Sequence, residues 1–180
     1  LGTGCITLGH QFQVIRLIND PGNMHFNVGM LGYIGGCMFF YIAIKYEANP
    51  MVEDRSRALR KYRRIARALT CAVTVMMIPV VFTGDVSMSI AALLMLLFVV
   101  QTSYFLIKQL LLPAKTGVTK AIRAFNLPAL VFLLSLSANM MFYGEHMPTP
   151  EMILVTACEV IGALALIPTY FLGVKKWITS

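Results

Sequence analysis

The sequence predicts an all-α, polytopic transmembrane helix bundle in a single domain, and three observations carry that prediction. First, 58% of the 180 residues are hydrophobic and only 13% charged, against about 25% charged in an ordinary soluble domain. Second, the apolar residues fall in long runs rather than in short alternating segments. Third, the loops between the runs alternate in charge. So little charge cannot cover a water-soluble fold, which excludes disordered regulators and ordinary cytosolic enzymes. In hydrocarbon every backbone N–H and C=O must be satisfied within the structure, which leaves helices or closed barrels. Continuous apolar runs of 19 or more residues contradict the in/out alternation of barrel strands.

A spanning helix needs about 17–25 mostly apolar residues. Residues 1–17 are a doubtful run, short and carrying His10, Gln11, Gln13 and Arg16. Run 27–46 passes through the Gly29–Gly36 stretch to Lys45 and Tyr46, and run 66–84 ends at Gly84-Asp85. Run 87–112 is stopped by Pro113, and run 125–143 by the turn Gly144 to Pro148. Run 150–174 is closed by Lys175-Lys176-Trp177. Five clear spans plus a partial N-terminal one are therefore expected, with the first of six only partly represented in this sequence.

The orientation follows from charge. Loop 45–67, segment 108–123 and the tail hold fourteen of the fifteen basic residues. The opposite side carries Asp20, Asp85, Glu145 and Glu151 with only Arg16. Short loops rich in Lys and Arg stay cytoplasmic, so the C-terminus is expected in the cytoplasm. The formal net charge of +7 does not indicate nucleic acid, because the basic residues lie between apolar runs instead of along one soluble face.

Glu159 is the most informative single residue, about nine positions into the last run. A charge at that depth costs roughly 2.5–3.5 kcal/mol, so it must face the bundle interior with partners. Asn139, Ser135 and Gln101 complete the expected buried polar cluster, with Ser137, Thr102 and Tyr104 as further candidates. Such a carboxyl can serve a proton, ion or headgroup site, or it can simply fix helix packing; both readings stand. Asp20, His25 and His146 fall on the outer face. A transmembrane haem wants two histidines at matching depth, and of the three histidines only His10 falls within a run. No cofactor and no metal site are expected, since local ligand spacing is lacking. Cys5, Cys37, Cys71 and Cys158 form no CxxC pair, so neither a disulfide framework nor a zinc site is indicated.

The segment Arg55–Arg67 is basic and helical in pattern. Arg57, Arg60, Lys61, Arg63 and Arg64 are the expected contacts with anionic cytoplasmic-leaflet lipid, at about 1 kcal/mol each near the surface. The same residues also serve topology alone. Gly32 and Gly36 form a small-xxx-small pair suited to close helix approach within the bundle or, less favoured, to a dimer face. Phosphate loops, HExxH, GxSxG and paired catalytic carboxylates are absent from the sequence, so catalysis has little support.

Ile18-Asn19-Asp20-Pro21-Gly22-Asn23 leads into Phe26-Asn27-Val28-Gly29, and that span closes at Lys45-Tyr46. With the runs laid out as above, this resembles the Frag1/DRAM/Sfk1 group of six-span membrane proteins. Gln101-Thr102-Ser103-Tyr104 is similar to the group's Gln-containing aromatic stretch, and Glu159 with Tyr170 to its last span. Val160 stands where the group has an aromatic, Met24-His25 replaces its Pro-Glu, and Val86-Ser87-Met88 lacks its histidine. The resemblance implies a lipid-handling or non-enzymatic protein of endomembranes or the plasma membrane, with links to autophagy and lysosomes, GPI-anchor remodelling and phosphoinositide-kinase scaffolding. The expected function is a scaffold or accessory subunit with lipid contacts, its partners membrane lipids and other integral membrane proteins. The alternatives are a small transporter or channel with a polar path around Glu159 and, more weakly, a membrane-embedded lipid-modifying enzyme.

Overall fold

A computed structural model describes residues 1–19, 27–49, 59–82, 86–112, 117–139 and 149–178. Among them every secondary-structure element is helical. Helix α1 is Gly2–Asn19, and α2 is Val28–Ile42, prolonged by a π-helical stretch Ala43–Ala48. Helix α3, Arg60–Met77, tightens into a 3₁₀ turn over Ile78–Phe82; α4 is Val86–Leu111, α5 Gly117–Asn139 and α6 Pro150–Ile178. The starts of α2 and α6 are readable in local chemistry. Asn27 is extended, and its side chain accepts from the Gly29 N–H at 2.9 Å, an N-cap that satisfies one orphan donor. Thr149 does the same for the Met152 N–H at 3.2 Å, followed by Pro150 at the first helical position and Glu151 in the first turn, where both are favoured.

Helix α4 is central. It packs against α2, α3 and α5, while α1 lies along α2 and α6 along α5. Met88, Ala91, Ala92, Met95, Val99 and Leu106 of α4 meet Met30, Tyr33, Phe40 and Ile44 of α2 and Ala129, Phe132, Leu133 and Leu136 of α5 in one core. The outer surface is oily instead of charged. Leu8, Ile15, Leu31, Met76, Ile90, Leu97, Leu127, Ile153, Ile161 and Leu164, drawn from all six helices, are exposed. An apolar belt on this scale is intolerable in water and matches hydrocarbon. Among the described residues four helices, Val28–Tyr46, Val86–Leu111, Lys120–Asn139 and Pro150–Thr169, are long and apolar enough to cross a membrane.

The run expected over 66–84 behaves differently. Its helix starts six residues earlier, at Arg60, with five basic residues in its first eight, and its α-helical part stops at Met77. Ile78-Pro79 turn it into a 3₁₀ segment, since proline has no N–H to continue the helix. Only Ala66 and Thr70 of this helix are buried, on the row that faces α4. Residues 1–17, expected to be a partial span, form nearly all of α1, too polar to stand among the four.

Close backbone approach holds α1 on α2. A Cβ at Gly32 would lie 2.7 Å from the Cys5 carbonyl and 2.9 Å from Gly9 Cα, and one at Gly36 would lie 2.9 Å from the Gly2 carbonyl. The Gly32/Gly36 pair is therefore taken up within the chain, as a helix crossing. Gly162 on α6 meets the Phe132 backbone of α5 in the same way, at 2.9 Å.

Candidate functional site, an interhelical carboxylate–histidine cluster

Glu159 is 6% exposed although it lies on a helix whose neighbours Val160 and Ile161 face outward. One carboxylate oxygen sits 2.9 Å from His10 Nε2. The other accepts from the Asn139 side-chain amide, and Thr156 Oγ1 lies 3.3 Å from Asn139 Oδ1. On its far side His10 Nδ1 is 3.0 Å from the Tyr33 hydroxyl, with the two rings edge-on, centroids 5.0 Å apart. One hydrogen-bonded chain thus joins Tyr33, His10, Glu159, Asn139 and Thr156 across α2, α1, α6 and α5.

The distances accommodate more than one arrangement of protons. With Glu159 ionised and His10 neutral, Nε2–H donates to the carboxylate and Nδ1 accepts from the tyrosine O–H. If the imidazole takes a second proton, Nδ1 becomes a donor and the Tyr33 hydroxyl turns to accept. The histidine side chain is 45% exposed and the glutamate 8%, so the pair has one open rim and one closed floor. This supplies the compensation that a carboxyl needs so deep in a helix. It is hydrogen-bonding and proton-holding equipment. Among the described residues no group of three or more His, Cys, Asp or Glu could hold a metal ion.

Backbone packing places these side chains. Gly9 precedes His10 and Gly32 precedes Tyr33, so the α1–α2 glycine contact brings ring to ring. Below them Gln13 Nε2 reaches Asn27 Oδ1 at 3.2 Å, tying α1 to the cap of α2.

Of the residues expected around Glu159, Asn139 is a direct partner. Ser135 is buried and Gln101 half-buried, and neither is among the hydrogen-bond partners of the carboxylate. Ser137 and Thr102 bond back to their own helices, to the Leu133 and Phe98 carbonyls. His10 is a partner that no local sequence pattern announces. The available signal was depth: His10 lies nine residues before the end of α1 and Glu159 nine after the start of α6, which puts both at about 14 Å from those ends. Asp20, His25, His146 and Arg57 lie outside the described residues.

A second polar cluster occupies the other end of the bundle. Asn126, fully buried on α5, donates to Gln109 Oε1 of α4 at 2.7 Å. Lys108 is 4% exposed, where the sequence suggested a solvated loop charge. Its amine bonds Asn49 Oδ1 and lies 5.5 Å from the Phe105 ring centroid. Burial is tolerated because the charge is hydrogen-bonded and faces a ring. Arg123 bonds the Leu112 carbonyl, closing the end of α4.

On α3, Arg60, Arg63, Arg64 and Arg67 line one cleft of about 380 Å³. Their spacing of three and four residues puts them on one helix face. Lys61 is exposed but falls outside that row. No family model, no curated protein and no solved structure matches this chain.

Proposed function

We propose that this membrane protein is a non-enzymatic scaffold or accessory subunit of a membrane complex, in an endomembrane or the plasma membrane, with the basic end of α3 set against anionic cytoplasmic-leaflet lipid. The observation that carries this reading is the placement of polarity. Asn126 and Asn139 mark the two polar clusters, and the thirteen residue steps that separate them on α5 correspond to about 20 Å along the helix axis. The interval is dominated by close-packed apolar side chains: Met95, Val99, Ala129, Phe132, Leu133 and Leu136. A bundle whose two polar clusters are separated by a close-packed, mostly apolar interval suits assembly with other helices better than passage of a solute. The resemblance to the Frag1/DRAM/Sfk1 group belongs to the same proposal, supported by a bundle layout with Glu159 in the last helix. Purification of the full chain from native membranes in mild detergent is expected to recover stoichiometric membrane partners. A solitary monomer overturns the scaffold reading.

The His10–Glu159 pair favours a second reading, a small transporter in which this cluster binds the coupling proton or ion. Glu159→Gln is then expected to abolish flux in reconstituted vesicles while expression is retained. Unchanged flux disposes of transport.

A further inference from the structure

Among the described residues, four buried side-chain atoms have no hydrogen-bond partner: Ser103 Oγ, Gln109 Nε2, Arg123 Nε and Asn126 Oδ1. Ser103 needs no ligand, because a hydroxyl in a helix can turn to the carbonyl four residues back, as Thr102 and Ser137 do. The other three belong together. Asn126 donates to Gln109 Oε1, and Arg123 donates to the Leu112 carbonyl. These two rungs join α4 to α5 and lie three residues apart on each helix, about 4.5 Å along the axis. Each rung leaves a polar atom unmet. Gln109 is 3% exposed and Asn126 0%, so bulk solvent does not meet the need.

The two amides cannot mend this by themselves. Turning both over reverses the bond between them and still strands one oxygen and one N–H₂ group. Asn126 also lies well inside α5, where the backbone N–H groups are already used by the helix, so its own helix has no donor for the carbonyl oxygen. Buried polar groups left unmet are costly and correspondingly rare. The unmet set selects its occupant, because it combines one acceptor with two donors. An anion would confront the Asn126 oxygen, and a metal cation would confront the N–H groups. A water suits all three, accepting from Gln109 and Arg123 and donating to Asn126, and three bonds are about the number that a buried water makes. We propose that α4 and α5 enclose a resident water between the Gln109–Asn126 and Arg123–Leu112 rungs. The inference is independent of the scaffold and transport readings.

The test uses the full, unsubstituted chain, crystallised from a lipid phase to a resolution at which single waters are visible, once in chloride and once in bromide. One peak is expected within about 2.7–3.2 Å of the side-chain amides of both Gln109 and Asn126, with the same density in the two salts. Two amides bonded reciprocally, with no peak between the rungs, overturn the proposal. A peak that gains an anomalous signal in bromide overturns it as well, since the occupant is then an anion. A second measurement needs no crystal. In nanodiscs, with glutamine and asparagine side chains labelled, the two amides are expected to show NMR cross-peaks to a water that tumbles with the protein. Dry amides, or contact only with fast-exchanging bulk water, sink the resident site.

Discussion

Gly32→Ala is expected to destabilise the bundle by about 1–3 kcal/mol, the usual cost of overpacking a well-filled contact. The three atoms nearest the added methyl would all be backbone: the Cys5 carbonyl at 2.7 Å, Gly9 Cα at 2.9 Å and Gly9 N at 3.0 Å. None of these can rotate aside, so relief requires α1 to move off α2. That movement carries His10 away from Tyr33 and loosens its hold on Glu159, so a substitution that touches no polar atom should still disturb the polar cluster. The same helix supplies its own control. Gly35 has nothing within 4 Å of the position a Cβ would take, and alanine is the better helix former by up to about 1 kcal/mol. Gly35→Ala is therefore expected to be neutral or stabilising. Thermal unfolding in one detergent, followed by size-exclusion of the remaining folded protein, measures both. Equal losses from the two substitutions would mean that α1 does not cross α2 at Gly9 and Gly32.

The sequence was most legible where a single physical rule decides the outcome. Runs rich in Leu, Ile, Val and Met become helices because hydrocarbon offers no other way to satisfy the backbone, and an isolated carboxyl in such a run must face inward. Glu159 and its Asn139 contact follow from that logic. His10 does not, because nothing local links positions 149 residues apart; the pairing exists only once α1 and α6 are placed in one bundle. Lys108 shows the reverse error. Standing near the end of an apolar run, it reads as a loop charge, yet the π-helical extension of α2 brings Asn49 to its amine. Helix α3 was legible by composition and not by extent, since most of the basic segment read ahead of run 66–84 belongs to the same helix, and a turn at Pro79 cuts that run short. The basic segment carried its charge in the sequence. Which of its members share a cleft is a matter of helical register, and it exchanges the expected Lys61 for Arg67.

The other large effect is expected at Glu159. Glu159→Ala strands the His10 Nε2–H and the Asn139 amide, both of which address the carboxylate, and should cost about 2–3 kcal/mol, most of it the penalty for the unmet buried partners. That lies below the roughly 3–5 kcal/mol of a fully buried ion pair, because the His10 side chain is 45% exposed and can recover part of its bonding elsewhere. Double-mutant cycles separate the contributions. Hydrogen bonds between membrane helices average about 0.6 kcal/mol and reach about 1.7, so the coupling of Glu159 with His10 should fall in that interval and the coupling with buried-side Asn139 toward its upper end. A His10–Glu159 coupling indistinguishable from zero, in variants that stay folded, would remove the pair from the structure. Glu159→Gln should cost less than Glu159→Ala, since the amide keeps the shape and one accepting oxygen while adding an N–H₂ that meets a donor, Asn139, head-on. The ordering matters for function as well as for packing. Flux lost on Glu159→Gln with the unfolding temperature retained is the signature of a proton or ion site. Flux lost in step with the unfolding temperature reports only that the helices have parted.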